Sequence, residues 1–374
     1  MRVLILDSQN QNTLAIVRHL GKQGHYVAVV GSKLLSLSFY SKFINRKLVF
    51  PDLKEDPQLY VESLLNEIQS NSYDVLLPVG FKSYQLCSEF QDEIKKHTKL
   101  TVTSFENIKL ASDKSKTYDL ANELNIPYPK IYPILTLQDF DKSQFEFPLV
   151  IKAPFESGKN IVEYASSLSD AKRIFLHMQS SLNGISPLVQ QYIKGDGYGF
   201  FAFYVDGKCA NYFMHHRIRE YPVTGGASVC AESYFNLELR QLGIKILDHL
   251  RWEGVAMVEF KRDEISGKFN LMEINPKFWG SLELAIKAGV DFPSYLIDEK
   301  TNIDINLISP HYKNIIFQWI LNGELFHFLE RPTALSKIIR TLPKSYKDLK
   351  WSDFKPNIFQ FINIFIHYYK KLRN

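Results

Sequence analysis

Residues Glu259 to Phe278 read EFKRDEISGKFNLMEINPKF, and how this stretch pairs with itself decides the fold. Val255–Arg262 and Phe269–Asn275 are β-prone runs, and Asp263–Lys268 (DEISGK) between them carries the Gly and polar residues of a hairpin turn. Glu259 and Glu273 lie equally far from Ser266, so symmetric pairing makes them direct cross-strand neighbours. Asn275, two residues further, then shares their face. Opposed carboxylates repel. A hard divalent cation held by oxygen atoms would compensate. Mg²⁺ binds through one or two carboxylates and completes its shell with water and phosphate oxygens. A solvated acidic face on an ordinary hairpin is the plainer alternative. Asn275 and the apolar residues alternating with the acids (Val258, Phe260, Met272, Ile274) argue instead for a site.

The rest of the chain is ordinary in composition. At 374 residues, with 45% hydrophobic and 23% charged residues, it suits a globular protein of two or three domains. A net charge of +5 fits phosphate-bearing ligands, but no dense basic stripe points to nucleic acid. Cys87, Cys209 and Cys230 lack metal-ligand spacing and read as reduced thiols of a cytoplasmic protein. Met1–Asn10 holds too short an apolar run for a signal peptide, and no stretch has the length of a membrane span.

Strand and helix patterns alternate near the N-terminus. Arg2–Asp7, Tyr26–Val30 and Tyr73–Pro78 read as strands, and Thr13–Leu20 and Pro57–Ser70 as helices, which indicates a parallel α/β sheet. SQNQN follows the first strand where a dinucleotide fold needs glycines, which argues against a nicotinamide or flavin oxidoreductase. Asp113–Lys130 reads as an N-capped helix ending in a Pro-bounded turn. Phe147–Lys152 is a strand that delivers Lys152 from a buried end, a position that favours an anion partner. Phe200–Val205 and Cys209–Met214 form a hairpin around Asp206–Gly207, and Asn236–Leu250 is a helix. Arg217 and Arg219 sit at i and i+2, so on a strand they share a face.

Glu259, Glu273 and Asn275, followed by Pro276, Lys277 and FWGS, resemble the metal-binding end of the ATP-grasp superfamily. More narrowly, MEINPKFWGSLELAIKAGVDFP resembles a group of carboxylate–amine ligases, and the resemblance spans about residues 105 to 295. It implies a parallel α/β domain over 1–110, an ATP-grasp domain of two antiparallel sheets with helices over 111–300, and beyond it a helical extension over 301–374. It also implies ATP and Mg²⁺, with Mn²⁺ as an alternative, the metal lying on Glu259, Glu273 and Asn275. Lys114 and Lys152 would contact phosphate, together with the loop of Ser157, Gly158 and Lys159. Gln190, Gln191, Tyr192 and Ile193 would line the adenine, and Asp196 or Tyr198 would stand in for the usual ribose carboxylate. Arg217, Arg219 and Lys277 would stabilise charge on the transferred phosphoryl group. His215 and His216 are candidates for substrate contact only.

The activity this resemblance implies is joining a carboxylate to an amine through an acyl phosphate, releasing ADP and phosphate. Two alternatives stay open: an enzyme of the same fold with a non-amine acceptor, of carboxylase or phosphotransfer type, and a non-catalytic nucleotide-binding scaffold. The partners expected are small carboxylates and amines and no nucleic acid, with oligomer formation left open. Ile315–Leu329 and Ile358–Leu372 read as aromatic-rich helices. The second ends in basic residues: docking on its own domain is the plainer reading, with resting at a membrane interface or packing against a partner as alternatives.

Overall fold

The computed structural model describes residues 1–155, 162–223, 225–298 and 310–373, with Asn363 and the residues from Phe365 on as backbone only. Three apolar runs near the N-terminus, RVLI, YVAVVG and VLL, become β1 (Arg2–Ile5), β2 (Tyr26–Gly31) and β4 (Val75–Leu77), almost wholly buried. With β3 (Arg46–Val49) they form a parallel sheet in the order β3-β2-β1-β4. Sequence patterning misses β3 because RKLV sits at the sheet edge, where half its residues stay in solvent. The helices Gln11–Lys22 and Pro57–Ser70 form as expected, the second capped by Asp56 accepting from the Leu59 amide.

Two antiparallel sheets follow. β5 (Ile131–Tyr132), β6 (Leu149–Lys152), β7 (Val162–Ala165) and β8 (Leu188–Gln191) pair in the order β5-β8-β6-β7. Leu149, Ile151 and Val189 on this sheet pack on Ile174, Phe175 and Met178 of the helix Leu168–Ser181, making a small separate core. The larger sheet runs β13-β12-β9-β10-β11-β14-β15. Its members are β9 (Gly197–Val205), β10 (Lys208–Tyr221), β11 (Ala227–Ser233), β12 (Gly254–Arg262), β13 (Phe269–Asn275), β14 (Ile316–Gln318) and β15 (Ser345–Lys347). Its core is continuous with that of the parallel sheet.

The C-terminal segment differs from a purely helical extension. β14 adds to the free edge of β11 with Phe317 fully buried, and β15 pairs parallel to β14. The helix read over Ile315–Leu329 is therefore shortened: the edge of β11 claims Ile316–Gln318 as a strand, and a kinked π-type turn over Ile320–Glu324 leads into the helix Leu325–Glu330. The last helix runs Phe354–Arg373. Among the described residues no helix is long and apolar enough to cross a membrane. The three cysteines are buried free thiols.

Candidate functional site

Glu259 of β12 stands directly opposite Glu273 of β13, as expected, although next to the turn Arg262 pairs with Phe269, one residue off the symmetric register. A bulge follows, since Phe260 then pairs with Leu271. The extra residue is Met272, which turns into the same cleft as the acids instead of alternating with them. Val258, Phe260 and Ile274 are buried on the opposite side as expected.

The cleft has a volume of about 1020 Å³ and receives residues from all three sheets. On the larger sheet, Gly197 and Gly199 of β9 present no side chain to it. Gly199 pairs with His215 of β10 on one side and Glu259 of β12 on the other. Arg217 of β10 thus reaches across a bare strand, and its Nη2 meets Glu259 Oε2 at 2.5 Å. A Cβ on Gly197 would stand 2.9 Å from Arg217 Cδ, so the missing side chain is what opens this path. The guanidinium also contacts Glu220 Oε1 at 3.5 Å. Burial opposes the Arg217 charge, but Glu259 and Glu220 hold it more firmly protonated than usual.

Two carboxylates facing each other are therefore compensated from several directions. Burial pushes Glu259 above the ordinary carboxylate range, with Arg217 pulling the other way. For Glu273 burial acts upward too, but Lys114, a 2.8 Å hydrogen bond from the Asn275 amide, Lys152 and Lys277 together hold it below the usual range. Repulsion between the acids calls for cations, and the chain supplies four of its own. A divalent ion is thus one source of compensation among several.

Opposite this face stands the smaller sheet. Asp113 caps the helix Lys114–Glu123, accepting from the amides of Ser115 and Lys116, and the Lys114 amide donates to Pro154 O at the end of β6. That bond seats Lys114 beside Lys152. Lys152 is buried and donates to the Tyr118 hydroxyl at 2.9 Å. Burial draws its ammonium down to about 8, although Glu273 and Glu259 act to raise it. Tyr118 Oη in turn lies 3.2 Å from Gln190 Oε1 and 3.0 Å from Met272 O, so one phenol ties the smaller sheet to the acidic hairpin. Sequence reading passes over Tyr118 because it is one of several aromatic residues in a helix. Only the fold reveals its three partners.

The structure brings Lys114, Lys152, Gln190, Tyr192, Ile193, Arg217, Glu259, Glu273, Asn275 and Lys277 to the cleft. It leaves others out. Arg219 does not share a face with Arg217, because Ile218 bulges out of the β10–β11 ladder and reverses the alternation. Its Nε instead donates to Glu324 Oε1 at 2.7 Å in a buried pair behind the sheet. Gln191 alternates away from Gln190 and does not line the cleft. The carbonyl oxygen of Gln190, read as an acceptor for adenine, already faces Tyr118. Tyr198 lies on the reverse face, stacked 4.8 Å from His216, and Asp196 pairs with that same histidine at 3.2 Å. Neither is placed to hold a ribose in the cleft. Ser157, Gly158 and Lys159 fall outside the described residues.

Of the two histidines, His215 faces the cleft and His216 does not. His215 Nδ1 is 3.2 Å from Ser281 Oγ, while its Nε2 is buried without a partner. Burial, then Arg217 and His216, keep this imidazole neutral, well below its ordinary value. Trp279, whose ring lies 4.5 Å from Phe201, also lines the cleft with a buried, unpartnered Nε1–H. Two unused polar atoms in one wall mark where a polar ligand would be read.

A lysine-bearing four-stranded sheet facing a larger sheet with paired glutamates is the architecture of the ATP-grasp fold, and this chain has that fold. The chain is 26% identical over 258 residues to the carbamoyl phosphate synthase large chain of Caldanaerobacter subterraneus, which covers 65% of this chain and 24% of that one. It therefore spans about a quarter of the length of that relative. It is 21% identical over 328 residues to the D-aspartate ligase of Enterococcus faecium, covering 79% of this chain and 76% of the ligase. Among solved structures, a biotin carboxylase–ATP-analogue complex from Campylobacter jejuni superposes with a TM-score of 0.65 at 16% identity, over 84% of this chain and 74% of that one. No family model matches.

Proposed function

We propose that the protein is an ATP-dependent ligase that activates a carboxylate as an acyl phosphate and passes the acyl group to an amine, releasing ADP and phosphate. One observation carries this reading: Glu259 and Glu273 face each other in a cleft that also holds Lys114, Lys152, Arg217 and Lys277. Cations on both walls suit a polyphosphate, and the paired acids suit the metal that accompanies it. The hard oxygen donors of Glu259, Glu273 and Asn275 fit Mg²⁺ or Mn²⁺, which when bound would neutralise phosphate charge.

The chain's own residues account for the rest. Lys114 and Lys152 would hold the phosphate chain, Tyr118 fixing the position of Lys152. Gln190, Tyr192 and Ile193 would border the base. Arg217 would exchange part of its contact with Glu259 for the oxygens of the phosphoryl group in transfer, where a guanidinium offers two parallel donors. Lys277 would add a point charge on the same side. His215 Nε2 and Trp279 Nε1 would read the polar groups of the acid or the amine.

The test is ADP and phosphate release from MgATP with pooled carboxylates, with and without pooled amines. Release that requires both supports the ligase. A second reading, a non-amine acceptor, draws on the likeness to carbamoyl phosphate synthase and biotin carboxylase. It predicts turnover with bicarbonate or another acid that no amine accelerates. ATP binding without turnover in any pool would leave only a scaffold.

A further inference from the structure

The helix Phe354–Arg373 turns polar as well as apolar residues inward: Asn357, Gln360 and Ile364 are buried, and Phe359 stacks on Tyr40 with ring centroids 5.0 Å apart. Asp353, at its start, is buried and accepts from Arg18 Nε at 2.8 Å, from Ser41 Oγ at 2.8 Å and from the Lys42 amide at 2.9 Å. Asn357, one turn on, accepts from Arg18 Nη2 at 3.0 Å, and Gln360 donates to Asn322 Oδ1 at 3.0 Å. The outward stripe is Trp351, Phe354, Ile358, Phe361 and Ile362, with Trp351 80% exposed and the others between 43% and 50%. Trp351 and Phe354 stack on each other at 5.3 Å. Docking through Ile364 and Phe359 thus leaves a second apolar stripe of this segment at the surface.

Charge says what covers the stripe. Residues 331–374 hold ten Lys and Arg against two Asp and no Glu, in a chain whose total net charge is +5. Both acids, Asp348 and Asp353, are buried and hydrogen-bonded, so this segment shows solvent no carboxylate. Two copies meeting through this face would bring like charges together. An anionic lipid surface would accept the apolar stripe together with the exposed Lys355 on the same helix and the positive charge of the segment as a whole.

We propose that the helix Phe354–Arg373 lies in the plane of an anionic membrane surface, with Trp351, Phe354, Ile358, Phe361 and Ile362 inserted at the headgroup boundary. The inference is independent of the reaction catalysed, because its test needs no turnover.

Flotation of the full chain with phosphatidylglycerol–phosphatidylcholine vesicles, and with phosphatidylcholine alone, provides that test. Binding is expected to the anionic vesicles and to weaken with salt. Ile358→Gln with Phe361→Gln should abolish it, and Lys355→Glu should weaken it by more than about tenfold, from about 1 kcal/mol per basic charge at the surface. Lys355→Glu should keep the wild-type unfolding transition, since that side chain is exposed, and the half-exposed Ile358/Phe361 variant is scored for binding only below its own measured unfolding transition. Equal affinity for both vesicle types, no binding at all, or a self-assembled oligomer in solution that the Ile358/Phe361 variant dissociates would overturn the proposal.

Discussion

If Arg217 compensates the opposed glutamates, its energetic coupling to Glu259 must be large. The contact is 2.5 Å between nitrogen and oxygen, with the two side chains 9% and 18% exposed. Taking about 4 Å between charge centres and an effective dielectric constant of about 20, the attraction is about 4 kcal/mol. Removing one partner of a buried pair costs about 3 to 5 kcal/mol, because the remaining charge is stranded. Glu220, at 3.5 Å, shares the guanidinium and lowers the portion that belongs to Glu259. Arg217→Met alone should therefore destabilise the larger sheet by about 3 kcal/mol. Glu259→Gln alone should cost less, since Arg217 keeps Glu220 and a carboxyl raised by burial is neutralised. The double variant should recover part of the loss, giving a coupling of about 2 to 3 kcal/mol. The assay is a double-mutant cycle from denaturant unfolding without metal or nucleotide, followed by tryptophan fluorescence. Trp252 and Trp279 flank β12 and β13 and report on this sheet. A coupling below about 0.5 kcal/mol, the worth of an exposed pair, would refute the assignment of Arg217 as counter-ion.

Lys152→Met should raise the dissociation constant for MgATP by about tenfold or more, the value of one lost charge-assisted contact of about 1.5 to 3 kcal/mol. Because the wild-type ammonium titrates near 8, nucleotide affinity should fall as pH rises past that value, and Lys152→Arg should remove this dependence; calorimetry across pH 7 to about 9.5 checks both. Asp348 supplies a stability test. Burial and then Glu283 raise its carboxyl from 3.8 to about 7, against hydrogen bonds from the Leu321 and Ile320 amides. The folded value lies above the unfolded one, so its contribution is full below 3.8 and is lost as pH rises through about 7. Asp348→Asn should flatten stability over that window, measured by denaturant unfolding; an unchanged slope would contradict the assignment.

Local pattern reaches furthest in this chain where a role depends on adjoining residues, as for Asp113 as a helix cap and Lys152 at a strand end. The pairing of Glu259 with Glu273 matches a symmetric turn only because two departures cancel: next to the turn Arg262 pairs with Phe269, one residue off symmetry, and the bulge at Met272 restores it. Alternation fails once an extra residue enters. The bulge at Ile218 sends Arg219 behind the sheet to Glu324, and the one at Met272 turns a core-patterned residue into the cleft.

What the amino-acid order determined by itself is thus most of the strands and helices around the cleft and the acidic hairpin, consequences of short-range periodicity, while the gathering of Lys114, Lys152, Arg217 and Lys277 near it is what the family resemblance implies. The tertiary structure alone decided that Arg217 crosses a glycine strand to reach Glu259, and that Tyr118 joins Lys152 to Gln190. It also decided that Arg18 pulls Asp353 and Asn357 inward, so that the last helix leaves an apolar stripe in solvent. Each of these contacts joins residues 34 to 339 positions apart. No periodicity spans such distances, and only the packing of one element on another brings the partners together.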